Sequence, residues 1–74
     1  MRLEKSGRGG KAVTVLFELG MAEAQLKELL KELKTRCGCG GALKGDTLEI
    51  QGDHREKIEE VFSSKGLKIK RAGG

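Results

Sequence analysis

Apolar and polar residues alternate along the first part of the chain. Val13, Val15, Phe17 and Leu19 stand at every second position after a glycine-rich stretch, residues 6–11. This period of two, rich in β-branched residues, is typical of a strand with one buried face. A short extended segment at Leu3 precedes the glycines. The pattern therefore predicts a β-hairpin over residues 1–20.

The period changes to that of a helix between Ala22 and Cys37. Apolar residues there follow the i, i+3, i+4, i+7 spacing of one helical face: Leu26, Leu29, Leu30, Leu33 and Cys37. Gly38 follows, and glycine readily adopts the left-handed conformation of a helix C-cap. A second helix is predicted from Asp53 to Lys65. Asp53 is its expected N-cap, with Glu56 completing a capping box.

Short strands complete the pattern. Residues 42–44 and 47–51 flank a Gly45-Asp46 turn and predict a second hairpin. Residues 67–70 predict a last strand, with Leu67 and Ile69 facing inward. The resulting order is ββαββαβ, an α/β (α+β) two-layer sandwich in which both helices pack on one face of one sheet. Both aromatic residues, Phe17 and Phe62, are assigned to the core.

The length and charge of the chain narrow the functional classes. Seventy-four residues form one domain with a small core, which leaves little room for a deep catalytic pocket. No apolar run is long enough to cross a bilayer and no signal peptide is visible, so a cytoplasmic protein without a membrane partner is expected.

The net charge is +4, and the cations are concentrated at the two chain ends. The first eleven residues carry four cations and one acid, and residues 65–74 carry four cations and no acid. If the two ends lie together, they create a positive field that attracts a polyanion. A solvated surface of mixed sign is the alternative.

The glycine-rich stretch differs from a nucleotide-binding P-loop because its lysine lacks a following Ser or Thr and because a strand follows it. Cations there can meet phosphates while glycine lets the backbone approach a surface closely. The candidate phosphate-binding residues are Lys5, Arg8, Gly9, Gly10 and Lys11. An ordinary hairpin loop kept soluble by its charge is the alternative.

A second group of candidates lies on the first predicted helix. At roughly 100° per residue, Lys27, Lys31 and Lys34 fall within about 60° of one another. Glu28 and Glu32 fall together on the opposite side of this lysine stripe. The stripe is suited to follow a phosphate backbone, although a solvated helix face is the alternative. Two i, i+4 ion pairs are also predicted, Glu23 with Lys27 and Glu32 with Arg36.

Metal binding and catalysis are not expected. A structural zinc site takes four ligands, whereas the chain offers Cys37, Cys39 and His54 with Cys-x-Cys spacing. A disulfide between the two cysteines would close a small, strained ring, so reduced thiols are the simpler interpretation. A Cys39–His54 nucleophile and base would lack an orienting third residue. No cofactor is implied, and the protein is not expected to be an enzyme.

The motifs of residues 37–55 carry a family resemblance. Cys37 and Gly40-Gly41 form a C-x-x-G-G turn, and residues 50–55 read I-Q-G-D-x-R. Together with Arg8-Gly9-Gly10-Lys11-Ala12-Val13-Thr14 upstream and Gly66-Leu67-Lys68-Ile69-Lys70 downstream, they resemble the eukaryotic-type translation initiation factor 1 family. The Cys-Gly-Cys-Gly-Gly turn resembles the prokaryotic, bacterial branch.

The resemblance implies a partner, the RNA of the small ribosomal subunit. In that family the helix carrying the lysine stripe lies against this RNA, and the basic loop lies close to messenger RNA and initiator tRNA. Eukaryotic members take part in start-codon selection. A monomer is expected. Gln51-Gly52-Asp53 is the most family-specific tripeptide, and we expect its role to be structural: a strand exit, a turn and a helix cap.

The C-terminal Gly73-Gly74 supports an alternative from another class. Ubiquitin-like modifiers and sulfur carriers also end in two glycines on a flexible tail, which is expected here for residues 72–74. Their fold has one principal helix. The predicted second helix argues against this alternative.

Overall fold

The computed structural model describes residues 1–5 and 12–71. The elements are β1 (Arg2–Lys5), β2 (Ala12–Leu16), α1 (Glu23–Cys37), β3 (Gly41–Lys44), β4 (Thr47–Gln51) and α2 (Arg55–Ser64). The four strands form one antiparallel sheet in the order β1-β2-β4-β3. The predicted two-layer α+β fold is confirmed. Arg8, Gly9, Gly10, Lys11 and the Gly73-Gly74 tail lie outside the described residues.

The core forms between one face of the sheet and the two helices. The sheet contributes Thr14 and Leu16 from β2 and Leu48 and Ile50 from β4, all with no exposed surface. The helices contribute apolar side chains from both predicted faces: Leu26, Leu29, Leu33, Ile58, Val61 and Phe62. Each large apolar side chain buried in this way contributes about 1.5–3 kcal/mol. Met1 is also buried there.

The assignment of Phe17 to the core is wrong. The even-numbered side chains of β2 face the helices, so Val15 points to the opposite face, where its neighbours in register are Arg2 and Glu49. Phe17 follows the end of β2 and is half-buried, and the Arg2 guanidinium lies 5.6 Å from the centre of its ring. Residues 15–17 are all apolar, so their pattern does not determine which side faces inward.

Both helices end on a left-handed glycine. Gly38 has φ of +62°, and the N–H groups of Gly38 and Cys39 donate to the carbonyl of Lys34. After α2, Gly66 has φ of +72°, and the N–H groups of Gly66 and Leu67 donate to the carbonyls of Ser63 and Phe62. This second arrangement is a Schellman motif, which satisfies the last carbonyls of the helix.

The Schellman motif explains why the predicted last strand is absent from the described residues. The N–H of Leu67 donates to the Phe62 carbonyl at the end of α2, so it cannot also donate to a neighbouring strand. Leu67 itself is 39% exposed. Ile69 still packs against the core. The amino group of Met1 donates to the Lys70 carbonyl over 2.9 Å, so the start of β1 lies beside the segment that follows α2.

The capping role predicted for Asp53 is also wrong. Helix α2 begins at Arg55 with His54 at the N-cap position, and the His54 side chain makes no capping hydrogen bond. Asp53, one residue earlier, accepts only a long hydrogen bond from the Arg55 N–H, over 3.5 Å. The His54 N–H donates to the buried hydroxyl of Thr14 over 3.2 Å, and that hydroxyl donates to the Gly52 carbonyl over 2.6 Å. A contact 40 residues away along the chain therefore fixes the start of α2.

Helix α2 distinguishes this fold from that of ubiquitin-like modifiers and sulfur carriers. It has 10 residues and buries Ile58, Val61 and Phe62 against the same core as α1. A fold with two helices of comparable importance differs from the single principal helix expected of ubiquitin-like carriers. The fold therefore argues against that alternative.

We predict that Thr14→Val lowers the free energy of unfolding by about 1–3 kcal/mol. The substitution keeps the shape but leaves the Gly52 carbonyl and the His54 N–H without their partner, and an unsatisfied buried polar group costs that much. Urea unfolding followed by circular dichroism measures the change. Thr35→Val is the control: the exposed Thr35 hydroxyl donates to the Lys31 carbonyl, and its loss should change stability by less than about 0.5 kcal/mol. Equal effects in both variants would contradict the role of Thr14.

Candidate nucleic-acid interface

The family-like motifs converge at one end of the sheet, which we call the motif end. Here β1 ends at Lys5, β2 begins at Ala12, β4 ends at Gln51 and β3 begins at Gly41. Backbone hydrogen bonds join these segments. The N–H of Gly52 donates to the Ala12 carbonyl over 2.7 Å, and the N–H of Gln51 donates to the Gly40 carbonyl over 3.0 Å. The glycine turn and the Gln-Gly-Asp turn are therefore adjacent.

The Gln51-Gly52-Asp53 turn requires glycine at its centre. Gly52 has φ of +97°, which side chains rarely adopt. A Cβ atom there would lie 2.7 Å from Nε2 of His54. The backbone conformation disfavours any side chain, and a Cβ would also displace the His54 ring, so the glycine of this tripeptide has a structural role.

Asp53 lies before the N-cap position of α2, and its main partner is the side chain of Arg55. Its two carboxylate oxygens accept hydrogen bonds from Nε and Nη2 of Arg55 over 2.9 and 3.1 Å. This bidentate geometry is favourable for a guanidinium and a carboxylate. The Arg55 side-chain hydrogen bonds lower the pKa of Asp53. The pair is partly exposed, so solvent screens it and its contribution to stability is small.

The lysine stripe of α1 is exposed along its length. Lys27 lies 3.5 Å from Glu23, one of the two predicted i, i+4 pairs. Lys31 and Lys34 form no ion pair with any other residue of the described ranges 1–5 and 12–71. Two uncompensated ammonium groups therefore lie on one flank of the helix.

The acidic flank of α1 is partly neutralised. Glu32 lies 2.7 Å from Lys65 and 3.9 Å from Arg36, the second predicted i, i+4 pair. Lys65 follows α2, so this ion pair also joins the two helices. The separation of charge predicted from the sequence is therefore present in the folded protein, with the negative side turned towards α2.

The stripe extends from the motif end to the other end of the molecule. Lys34 is nearest the motif end because α1 leads through Gly38 into the start of β3. Lys27 is seven residues earlier, about 10 Å along the helix axis. It lines a shallow groove with Leu43 and Asp46 near the β3–β4 turn. The exposed Lys5 lies at the motif end, but the structure does not bring it close to Lys27.

Comparison with known proteins assigns the chain to a family. The sequence profile described as translation initiation factor SUI1 matches residues 1–68. This chain belongs to the SUI1 family. The family is one of translation factors, not of enzymes.

Relatives of this SUI1 domain occur in bacteria and archaea. A protein named YciH from Escherichia coli K12 is 45% identical over 71 residues, which cover 96% of this chain and 66% of that protein. The YciH of Salmonella typhimurium is 48% identical over 71 residues, which again cover 96% of this chain and 66% of that protein. A protein translation factor SUI1 homolog from Methanothermobacter thermautotrophicus is 42% identical over 60 residues, covering 81% of this chain and 59% of the homolog. The chain thus spans about two thirds of the YciH proteins.

One cation near the motif end was missed by the sequence analysis. The exposed Lys57, in the first turn of α2, lies close enough to Cys37 at the end of α1 to lower its pKa, against the larger effect of burial, which raises it. Lys57 therefore lies near the C-terminal end of α1. The sequence shows that Lys57 is on the polar face of α2, but only the packing of α2 beside α1 brings it near the end of α1.

The open face of the sheet differs from the α1 flank because its charges are paired. Arg2 lies 2.6 Å from Glu4, and Lys44 lies 3.4 Å from Glu49. Phe17 is half-buried and Arg2 covers its ring. Within the part of the chain that the structure describes, this face offers no exposed aromatic platform on which bases could stack.

Cys37 and Cys39 are free and half-buried. Residues 1–5 and 12–71 contain no group of three or more His, Cys, Asp and Glu side chains arranged to hold a metal ion. Over the same residues, neither helix combines the length and apolar character needed to cross a membrane.

We predict that Arg55→Gln raises the pKa of Asp53 towards the ordinary value of about 3.9. Carboxyl carbon chemical shifts followed over pH measure it. A folded pKa below the unfolded one stabilises the protein at neutral pH, and this contribution disappears as pH falls through the folded pKa. The stability difference between wild type and Arg55→Gln should therefore shrink below about pH 4.

Arg36→Gln is the matched control, because it removes a guanidinium paired with Glu32 elsewhere on the molecule. It should leave the titration of Asp53 unchanged. An Asp53 pKa that is the same in wild type and Arg55→Gln would show that the ion pair does not form in solution.

Proposed function

We propose that this SUI1 domain binds RNA of the small ribosomal subunit and acts in translation initiation. The observation that carries the proposal is the position of two unpaired ammonium groups, Lys31 and Lys34, on the flank of α1 that leads to the motif end. Family membership supports the same interpretation, and archaeal relatives are named protein translation factors.

Charge makes α1 the preferred surface for a polyanion. Phosphate contacts supply most of the non-specific affinity of proteins for nucleic acids. On α1 the lysine side remains positive, while the charge of Glu32 on the acidic flank is offset by Lys65 and Arg36. On the open sheet face, by contrast, the cations Arg2 and Lys44 are paired with acids. A phosphate backbone therefore gains most by lying along the lysine stripe.

Binding in this proposal depends on phosphate position and RNA shape. Structured RNA is recognised largely through its backbone, whereas single-stranded bases are commonly stacked on aromatic rings. The described sheet face provides no such ring. We therefore propose contacts from Lys27, Lys31 and Lys34, with Lys57 as an additional contact near the motif end.

The basic loop extends the proposed surface. Lys5 and Ala12 flank residues 6–11 in the chain and lie at the motif end. Lys5, Arg8, Gly9, Gly10 and Lys11 are proposed to contact the same RNA, with messenger RNA and initiator tRNA nearby. In this position the loop would influence start-site selection. The proposal describes a monomer acting in the cytoplasm.

We predict that Lys31→Ala with Lys34→Ala weakens binding to purified small ribosomal subunits and flattens its dependence on salt. The log–log slope should fall by about 0.7–0.9 for each phosphate that the variant no longer neutralises. Fluorescence anisotropy of labelled protein titrated with subunits measures affinity and slope. Arg8→Ala with Lys11→Ala should act in the same direction, since the loop is proposed to contact the same RNA.

A matched control removes the same charge elsewhere. Lys44→Ala with Lys68→Ala takes two exposed lysines from outside the stripe and should leave the affinity close to that of wild type. Glu28→Gln with Glu32→Gln, on the acidic flank, should bind at least as well as wild type. If the control lysines matter as much as Lys31 and Lys34, binding follows net charge and the proposed surface is wrong.

A further inference from the structure

Two thiols flank the C-cap of α1. Cys37 is the last helical residue and Cys39 follows the left-handed Gly38. Both thiols are free and half-buried, and both pack against the core. Two residues apart, their Cα atoms are separated by at most about 7.2 Å in an extended chain. The turn at Gly38 shortens this separation towards the range of about 4.4–6.8 Å found for disulfides.

We propose that Cys37 and Cys39 form a reversible intramolecular disulfide by exchange with a low-molecular-weight disulfide. The two side chains leave the same turn on either side of a glycine, which has no side chain to separate them. A Cβ at Gly38 would meet no atom within 4 Å, so the outside of the turn is open.

The exchange has two steps. Burial and the nearby Cys39 raise the pKa of the Cys37 thiol, which disfavours Cys37 as the first nucleophile, so the first attack is assigned to Cys39. The Cys39 thiolate displaces one thiolate of the small disulfide, which takes up a proton, and leaves a mixed disulfide on Cys39. Cys37 then loses its proton and attacks the Cys39 sulfur. A second small thiol leaves, so two protein thiols and one small disulfide become one protein disulfide and two small thiols.

Lys57 assists the second step. Once Cys39 is in the mixed disulfide, it is no longer a neighbouring thiol that raises the pKa of Cys37. The Lys57 ammonium group, which favours the Cys37 thiolate, remains. The resolving thiolate is also held beside its target, which gives it an effective concentration in the millimolar range or above.

The small ring makes this disulfide a switch. A strained disulfide is easily reduced, and such bonds are the labile, regulatory ones. The ring would enclose Gly38 within the C-cap, where the N–H groups of Gly38 and Cys39 both bind the Lys34 carbonyl. Oxidation therefore acts on the turn that joins α1 to β3.

Equilibration in glutathione buffers of graded oxidation tests the proposal. Samples are quenched with acid, alkylated and weighed as intact protein by mass spectrometry. Wild type should pass to a species that takes up no alkylating reagent and is two hydrogen masses lighter than the reduced chain. Added dithiothreitol should return it to the doubly alkylated form.

Cys37→Ser is the matched variant, since it retains Cys39 but lacks the resolving thiol. It should accumulate the mixed disulfide at least tenfold more than wild type at the same buffer ratio. Equal accumulation in both proteins, disulfide-linked dimers, or two alkylatable thiols at the most oxidising ratio would each overturn the proposal. The masses measured for the wild-type protein test the proposed disulfide by themselves, even if Cys37→Ser folds poorly.

Discussion

The buried hydroxyl of Thr14 is the contact on which the arrangement of this domain depends. It joins the central strand β2 to the Gly52 carbonyl and to the His54 N–H, and so sets where β4 ends and α2 begins. Gly52 fits because a side chain would meet the His54 ring. With the Gly52–Ala12 and Gln51–Gly40 backbone bonds, this contact gathers three separate sequence motifs at one end of the sheet.

Patterns among residues that are close in sequence predicted most of the fold. The leucine spacing of α1, its left-handed glycine and the Gly45-Asp46 hairpin are each decided by neighbouring residues, and the structure has them as expected. The failures have non-local causes. His54 is held by Thr14, 40 residues away, so Asp53 is free to pair with Arg55. Leu67 looks like the start of a strand, but its N–H completes the end of α2.

The sequence predicted one part of the proposed interface and missed another. Helical periodicity placed Lys27, Lys31 and Lys34 on one flank, and α1 is a regular helix over all three positions. Glu32, on the other flank, pairs with Lys65. The proximity of Lys57 to the end of α1 could not be predicted from the sequence, since it depends on how two helices pack. Membership of the SUI1 family supplies the expected setting, translation initiation. The unpaired lysines supply a physical reason why this flank, rather than the charge-paired sheet face, would meet RNA.

Chemical reactivity of the lysines tests this account most directly. Every ammonium group would be labelled with a small acylating reagent, in the free protein and in its complex with small ribosomal subunits, and the rate at each site measured by mass spectrometry. The account predicts that Lys31 and Lys34 become several-fold less reactive in the complex, while Lys44 on the open sheet face keeps its free rate. Protection of Lys44 without protection of Lys31 and Lys34 would contradict it.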